Sequence, residues 1–205
     1  MAKINGFKSE APKKGFAMLP EGAYVCGIKN VKIDGKAPDQ QIVLRLDIIE
    51  GDWAGYYTKR YNHDKENADK YDAKYKGDFR IQIPDADNTK RQHPEWDLKT
   101  LNNSIWCIEQ SNPGFHFDGD TDHIGQLKGK IVGINVRGGS YNGSEYTQIG
   151  KLEVADDVRN GLVKVMEPRK RDDENPTSGP MTDQQTGMAV VNTEKLPWDA
   201  NDRPW

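Results

Sequence analysis

A mainly β fold, a five-stranded Greek-key barrel with one helix between its third and fourth strands, is what the sequence predicts for the central part of this 205-residue chain. Three observations carry that expectation. Segments with apolar residues at every second position recur between residues 23 and 154, the period at which a strand turns one face to a core. Gly, Pro, Asn and Asp bound these segments, and those residues turn a chain. Residues 97–110 instead carry apolar side chains at helical spacing, after three strand-like segments and before two more.

The elements follow in order. A turn at Pro20-Glu21-Gly22 opens the first strand, residues 23–33, where Tyr24, Cys26 and Ile28 alternate with smaller or polar residues. The parity then shifts to Val31 and Ile33 across Lys29-Asn30, as at a β-bulge, which bends a strand. Asp34 to Asp39 is loop by composition, and residues 41–49 form a second strand with Ile42, Leu44, Leu46 and Ile48 on one face. Val43, Arg45 and Asp47 are expected on its other face. Glu50 to Gly55 is a connection of hairpin length, and Tyr56 to Asn62, rich in Tyr and cations, is expected to be the third strand. Residues 63–94 are read as an insertion, although Phe79 to Ile83 alternates like a strand.

Asp97 is the expected N-cap of a helix through about Gln110, with Leu98, Leu101, Ile105 and Ile108 on one face, Trp106 beside them, and Asn112-Pro113-Gly114 as its stop. Val132, Ile134 and Val136 share a face of the fourth strand, residues 131–137. Residues 138–144 are a Gly-rich hairpin tip, residues 145–154 return as the fifth strand, and Asp156 caps a short final helix. Strand, strand, strand, helix, strand, strand is the order of the oligonucleotide/oligosaccharide-binding barrel, the OB fold.

The ends differ from this body. Residues 1–19 read as an arm bearing Lys3, Lys8, Lys13 and Lys14, residues 20–165 as the barrel domain, and residues 166–205 as a disordered acidic tail with a binding tip. From Asp172 onward there are seven acids and two bases, which leaves 27 bases against 25 acids before it. A slightly positive body beside a negative tail points to a polyanionic partner for the one and a different partner for the other. Cys26 and Cys107 lie 81 residues apart without metal-site neighbours, so two reduced thiols are expected. No apolar run approaches the length of a membrane span, and a soluble protein of the cytoplasm is the expectation.

Binding a single strand of nucleic acid requires cations for the phosphates and flat side chains for the bases. Trp53, Tyr56, Tyr57, Lys59, Arg60 and Tyr61 supply both within nine residues. In a strand either Tyr57, Lys59 and Tyr61 or Tyr56, Thr58 and Arg60 would face the ligand, and spacing does not decide between the two sets. Arg45, Arg137 and Tyr141, the last between glycine-rich flanks, complete the candidate nucleic-acid site. The segment His116 to His123 resembles a metal loop, but an EF-hand that begins at Asp118 would need Gly and Glu where His123 and Gly129 stand. A solvated acidic loop is the better reading. There is no Gly-rich phosphate loop and no nucleophile elbow, so no cofactor, metal or catalytic residue is expected.

The tail contains Leu196-Pro197-Trp198-Asp199 and then Asp202-Arg203-Pro204-Trp205, a Pro-Trp pair used twice. This tip resembles that of bacterial and phage single-stranded-DNA-binding proteins, which carries acidic residues, then Pro, then an aromatic residue; here Trp205 replaces the usual Phe and Arg203 dilutes the acids. The resemblance implies that Trp198, Asp199, Asp202, Pro204 and Trp205 capture replication or recombination partners. Pro20 to Tyr24, Glu50 to Tyr56 and Leu127 to Gly133 also resemble segments of small replication or recombination accessory proteins of phages of Gram-positive bacteria. That likeness spans about residues 16–160 and implies an OB-type protein that coats single-stranded DNA during phage or mobile-element replication and recombination, with homo-oligomers allowed. The alternatives are a metal-dependent nuclease using Asp118, Asp120 and Asp122, or a virion structural or interaction protein.

Overall fold

One long, bent strand joins the two halves of the barrel. In the computed structural model, which describes residues 15–67, 73–85, 88, 94–141 and 144–169 (the Tyr141 side chain excepted), β1 runs Gly22–Asp34. Its first half pairs antiparallel with β4 (Ile131–Tyr141), and its second half pairs antiparallel with β2 (Gln41–Ile48). Cys26 and Gly27 sit in both ladders. The register slips between Ile28 and Asn30, so the expected bulge is present and lets one strand serve two sheets.

β3 (Asp78–Gln82) adds to β2, and β5 (Ser144–Glu153) adds to β4, giving the order β3-β2-β1-β4-β5. This is a mainly β, nearly closed barrel of the OB type whose open seam lies between β3 and β5. α2 (Pro94–Gln110) lies between β3 and β4 in the chain, as expected, and α3 (Ala155–Arg159) follows β5. The core contains Ile28, Leu44, Leu46, Ile48, Ile81, Val132, Ile134 and Val136 from the strands and Ile108 from α2. Each such side chain contributes about 1.5–3 kcal/mol through burial. Asn112 ties the end of α2 to β4, donating to the carbonyls of Ile108 and Ile131 and accepting from the Ile131 N–H. Pro94 rather than Asp97 starts α2, because a proline is preset for the first helical position and sacrifices no needed N–H.

The third strand is not where the sequence places it. Residues 56–67 form a helix, α1 (Tyr56–Asn67), and β3 falls inside the segment read as an insertion. The reason is Asp47. Its carboxylate, only 3% exposed on β2, accepts from the Tyr57 N–H at 3.1 Å, from its neighbour Ile48 N–H at 3.0 Å and from the Thr58 hydroxyl. An anionic acceptor at the first helical N–H groups satisfies donors that would otherwise be unpaired and favours the positive end of the helix dipole. Gly51 and Gly55, both at φ +75°, make the tight turn that brings the chain back to it. Tyr56, Tyr57, Arg60, Tyr61 and Asp64 then share one helical face, a spacing of one, four, five and eight that a strand cannot bury together.

Asp47 and Val43 are therefore buried rather than outward. α1 covers part of the outer face of β2, and Tyr56 and Tyr57, at 3% and 4% exposure, belong to the core cluster. The Tyr56 hydroxyl donates to the Ala17 carbonyl and accepts from the Leu19 N–H, both at 3.0 Å, so the end of the expected arm is held on the barrel. Leu19 is almost fully buried.

Past α3 the chain returns along β4. The Asn135 amide donates to the Lys164 carbonyl at 2.9 Å and its oxygen accepts from the Met166 N–H at 3.2 Å, while the Arg169 N–H reaches the Gly138 carbonyl at 2.9 Å. The chain divides into units Met1–Arg169 and Lys170–Trp205, and the described residues belong to the first. The expectations for Trp198, Asp199, Asp202, Pro204 and Trp205 lie outside the described residues.

If Asp47 nucleates α1, Asp47→Ala strands a helix N–H and a hydroxyl and is expected to cost about 2–4 kcal/mol, with Asp47→Asn costing less because its amide oxygen still accepts. Urea unfolding of the three proteins measures this. Equal midpoints would show that the helix start is set elsewhere.

Candidate functional site

The outer face of β2 and β3 that α1 leaves open carries a compact group of aromatic and cationic side chains. Tyr75 organises it. Its hydroxyl donates to the Leu46 carbonyl at 2.9 Å, which fixes the ring against the sheet, and burial pushes the phenol up to about 12. Tyr61 on α1 packs at 5.8 Å between centroids and Tyr57 at 6.3 Å. Gly77 makes the arrangement possible. A Cβ at that position would collide with the Leu46 carbonyl oxygen and lie 2.7 Å and 2.8 Å from the rings of Tyr57 and Tyr75.

Arg45 lies on this base. Its guanidinium carbon stands 4.7 Å from the Tyr75 ring centroid, and two parallel hydrogen bonds to Asp78, from Nε at 2.9 Å and Nη2 at 3.2 Å, hold it in a fork. Arg45 and Asp78 face each other across the β2–β3 ladder, so the register itself sets the pair. Hydrogen bonding to Asp78 is the main reason the guanidinium is more firmly protonated than usual. The side chain remains 43% exposed. A guanidinium fixed in orientation and half open to solvent is a flat cationic plane on which another flat group can stack.

Lys74, Lys76 and Arg80 join Arg45, Tyr61, Tyr75 and Asp78 around a concavity of about 460 Å³. Lys74, Lys76 and Arg80 are all exposed. Arg80 also donates to Asp34 at 2.8 Å, and that bond holds the Asp34 carboxyl below its ordinary range. Among the described lining residues Arg45 is paired with Asp78 and Arg80 with Asp34, so Lys74 and Lys76 give the concavity its excess positive charge. Such a surface attracts a polyanion and offers it a stacking plane.

The sequence-derived candidates separate on this geometry. Arg45 and Tyr61 are brought together here. Tyr56 and Tyr57 are committed to the core, which corrects their expected role on an open strand face, and Trp53 packs edge-on against Tyr56 at 5.6 Å. Lys59 is exposed but donates to the Ala54 carbonyl at 2.8 Å within its own turn. Arg60 is on α1 but away from this concavity, donating to the Tyr56 hydroxyl at 3.1 Å. Arg137 is half-buried on β4, and Tyr141 is the last residue of β4 with its side chain outside the described residues. Sequence reasoning missed Tyr75, Lys74, Lys76 and Arg80, because the segment containing them reads as an insertion. The signal was there in Phe79 to Ile83: a strand in that segment brings the residues just before it onto the sheet.

At the α2 end, an apolar groove of about 430 Å³ is lined by Ile42, Ile83, Leu101, Ile105, Phe117 and the 54%-exposed Trp106, among others. Beside it the aspartates of the acidic loop shape the backbone. Asp118 accepts from the Asp120 N–H, and Asp120 accepts from the Asp122 N–H to cap the 3-10 helix Thr121–Leu127. Among the described residues no group of three or more His, Cys, Asp or Glu side chains is placed to hold a metal ion. Cys26 and Cys107 are free and buried, and burial raises both thiols, Cys107 to about 11. No helix among the described residues is long and apolar enough to cross a membrane. Neither a scan against protein-family models nor a search of curated proteins finds a match for this chain.

His123 and Asp118 form an exposed pair at 2.6 Å, in which the imidazole is raised above 6.5 chiefly by its bond to Asp118 and the carboxyl is lowered by the Asp120 N–H and by His123. The ionic contact therefore holds between the two values. It is lost as pH rises through the imidazole's raised pKa, and again as pH falls through the carboxyl's lowered one. An NMR titration is expected to show His123 titrating above 6.5 and returning toward it in Asp118→Asn; no change in that variant would exclude the pairing.

Proposed function

We propose that this chain is a single-stranded-DNA-binding protein, whose barrel holds the strand on the outer face of β2 and β3. The observation that carries the reading is the Arg45 guanidinium, held over Tyr75 by Asp78 and ringed by Tyr61, Lys74, Lys76 and Arg80. Bases stack on flat groups whatever their sequence, at about 1–3 kcal/mol each, while the lysines neutralise phosphates and release counterions. OB barrels bind their ligands on this same pair of strands.

The resemblance of the body and of the Pro-Trp tip to phage replication and recombination proteins supports the biological setting. On this reading the protein coats strands exposed during phage or mobile-element replication in the host cytoplasm. Its tip, with Trp198, Asp199, Asp202, Pro204 and Trp205, recruits partner proteins. The role of the barrel is binding rather than catalysis.

Fluorescence titration with oligo-dT tests the reading. Wild-type protein is expected to bind at low salt with an affinity that falls steeply as salt rises. The double variant Lys74→Ala/Lys76→Ala is expected to weaken binding and to flatten the log–log salt slope by about 0.7 for each phosphate that is no longer neutralised. Lys128→Ala, which alters an exposed lysine outside the concavity, leaves binding unchanged. No binding by the wild type, or equal losses from both lysine variants, would refute the assignment.

A further inference from the structure

Beside the open seam between β3 and β5, residues 16–19, α1, Lys76 and residues 145–148 of β5 line a second concavity, of about 510 Å³. That volume is within the range of sites that enclose a small organic ligand, about 300–1,000 Å³. Phe16 and Tyr56 form one aromatic wall, with centroids 5.5 Å apart, and Tyr146 of β5 lines the cavity as well. Tyr146 is positioned by a missing side chain. It pairs across the ladder with Gly139, where a Cβ would lie 2.6 Å from the Tyr146 ring, so the ring lies over bare backbone.

Arg60 also lines the cavity, with its Nε enclosed rather than open to it. Arg60 bonds the Tyr56 hydroxyl through Nη1, but its buried Nε has no hydrogen-bond partner among the described residues, and the Asp64 carboxylate stands at 3.8 Å. Lys76 lines this cavity and the β2–β3 concavity alike, so the two sites meet at one cation. Among the described lining residues Arg60 and Lys76 outnumber the single acid, Glu145.

We propose that the seam is a pocket for a single nucleobase of the bound strand. The backbone crosses Lys76 from the β2–β3 face, and one base turns into the seam against Tyr146, beside the Arg60 guanidinium that lines it. This inference rests on the proposed function, and it adds a fixed position to an otherwise sequence-tolerant path. Aromatic walls favour a base over a bare phosphate.

The experiment is an abasic scan. Short oligo-dT strands, each lacking the base at one position, are titrated against the wild-type protein, Tyr146→Ala and Arg60→Gln, with thermal midpoints recorded for all three. Tyr146→Ala is expected to weaken binding to intact oligo-dT by on the order of tenfold. One abasic position is expected to weaken wild-type binding by a similar factor and to leave the affinity of Tyr146→Ala unchanged, because pocket and base are then removed together. Arg60→Gln is expected to show the same missing penalty at the same position. It provides a second test should Tyr146→Ala fold poorly. If oligo-dT binds the wild type but no abasic position couples to either variant, the pocket is overturned and the β2–β3 reading stands. If the wild type binds no oligo-dT at all, the proposed function fails first.

Discussion

One buried carboxylate decides what the middle of this chain becomes. Asp47 sits on β2 where strand alternation would place it in solvent, and there it accepts from the Tyr57 N–H and the Thr58 hydroxyl. A buried anion without such donors would be untenable, and a helix start without an acceptor would be weak; each requires the other. With α1 fixed in this place, Tyr56 and Tyr57 join the core cluster, and Leu19 and Ala17 hydrogen-bond to the Tyr56 hydroxyl.

The same constraint arranges the proposed binding surface. Tyr61 of α1 lines one concavity and Arg60 the other, with Lys76 common to both. In both concavities particular contacts hold the aromatic and cationic planes in place. Tyr75 is held by the Leu46 carbonyl and by the closeness that Gly77 permits, Arg45 by Asp78 across a ladder rung, and Tyr146 by its place opposite Gly139. A stacking plane held rigid before binding loses little side-chain entropy when a base arrives, which matters when each stack contributes only about 1–3 kcal/mol. The β2–β3 concavity combines exposed lysines with such a plane, whereas the α2 groove offers mainly apolar lining around Trp106.

Much of the architecture was legible because it rests on local pattern. Strands 1, 2, 4 and 5, the bulge at Lys29, the helix after strand 3 and the short last helix all follow from alternation, turn residues and helical spacing. The third strand was not legible, since Tyr56 to Tyr61 has the residue types of a strand and the spacing of a helix, and the tie-breaker is a side chain nine positions away on β2. That one difference displaced the site. Arg45 and Tyr61 could be named from sequence because cations and aromatics in the middle of a barrel suit a polyanion. Tyr75, Lys74, Lys76 and Arg80 became visible only when β3 was placed in register with β2.

The central claim, that a single strand of DNA lies across the β2–β3 face beside α1, is tested most directly by hydrogen–deuterium exchange of the full chain with and without oligo-dT at low salt. Peptides covering residues 56–61 and 73–82 are expected to gain protection on binding, while those covering α2 and residues 115–127 are not. Protection confined to α2 and its apolar groove, or no protection anywhere in the barrel, would contradict it.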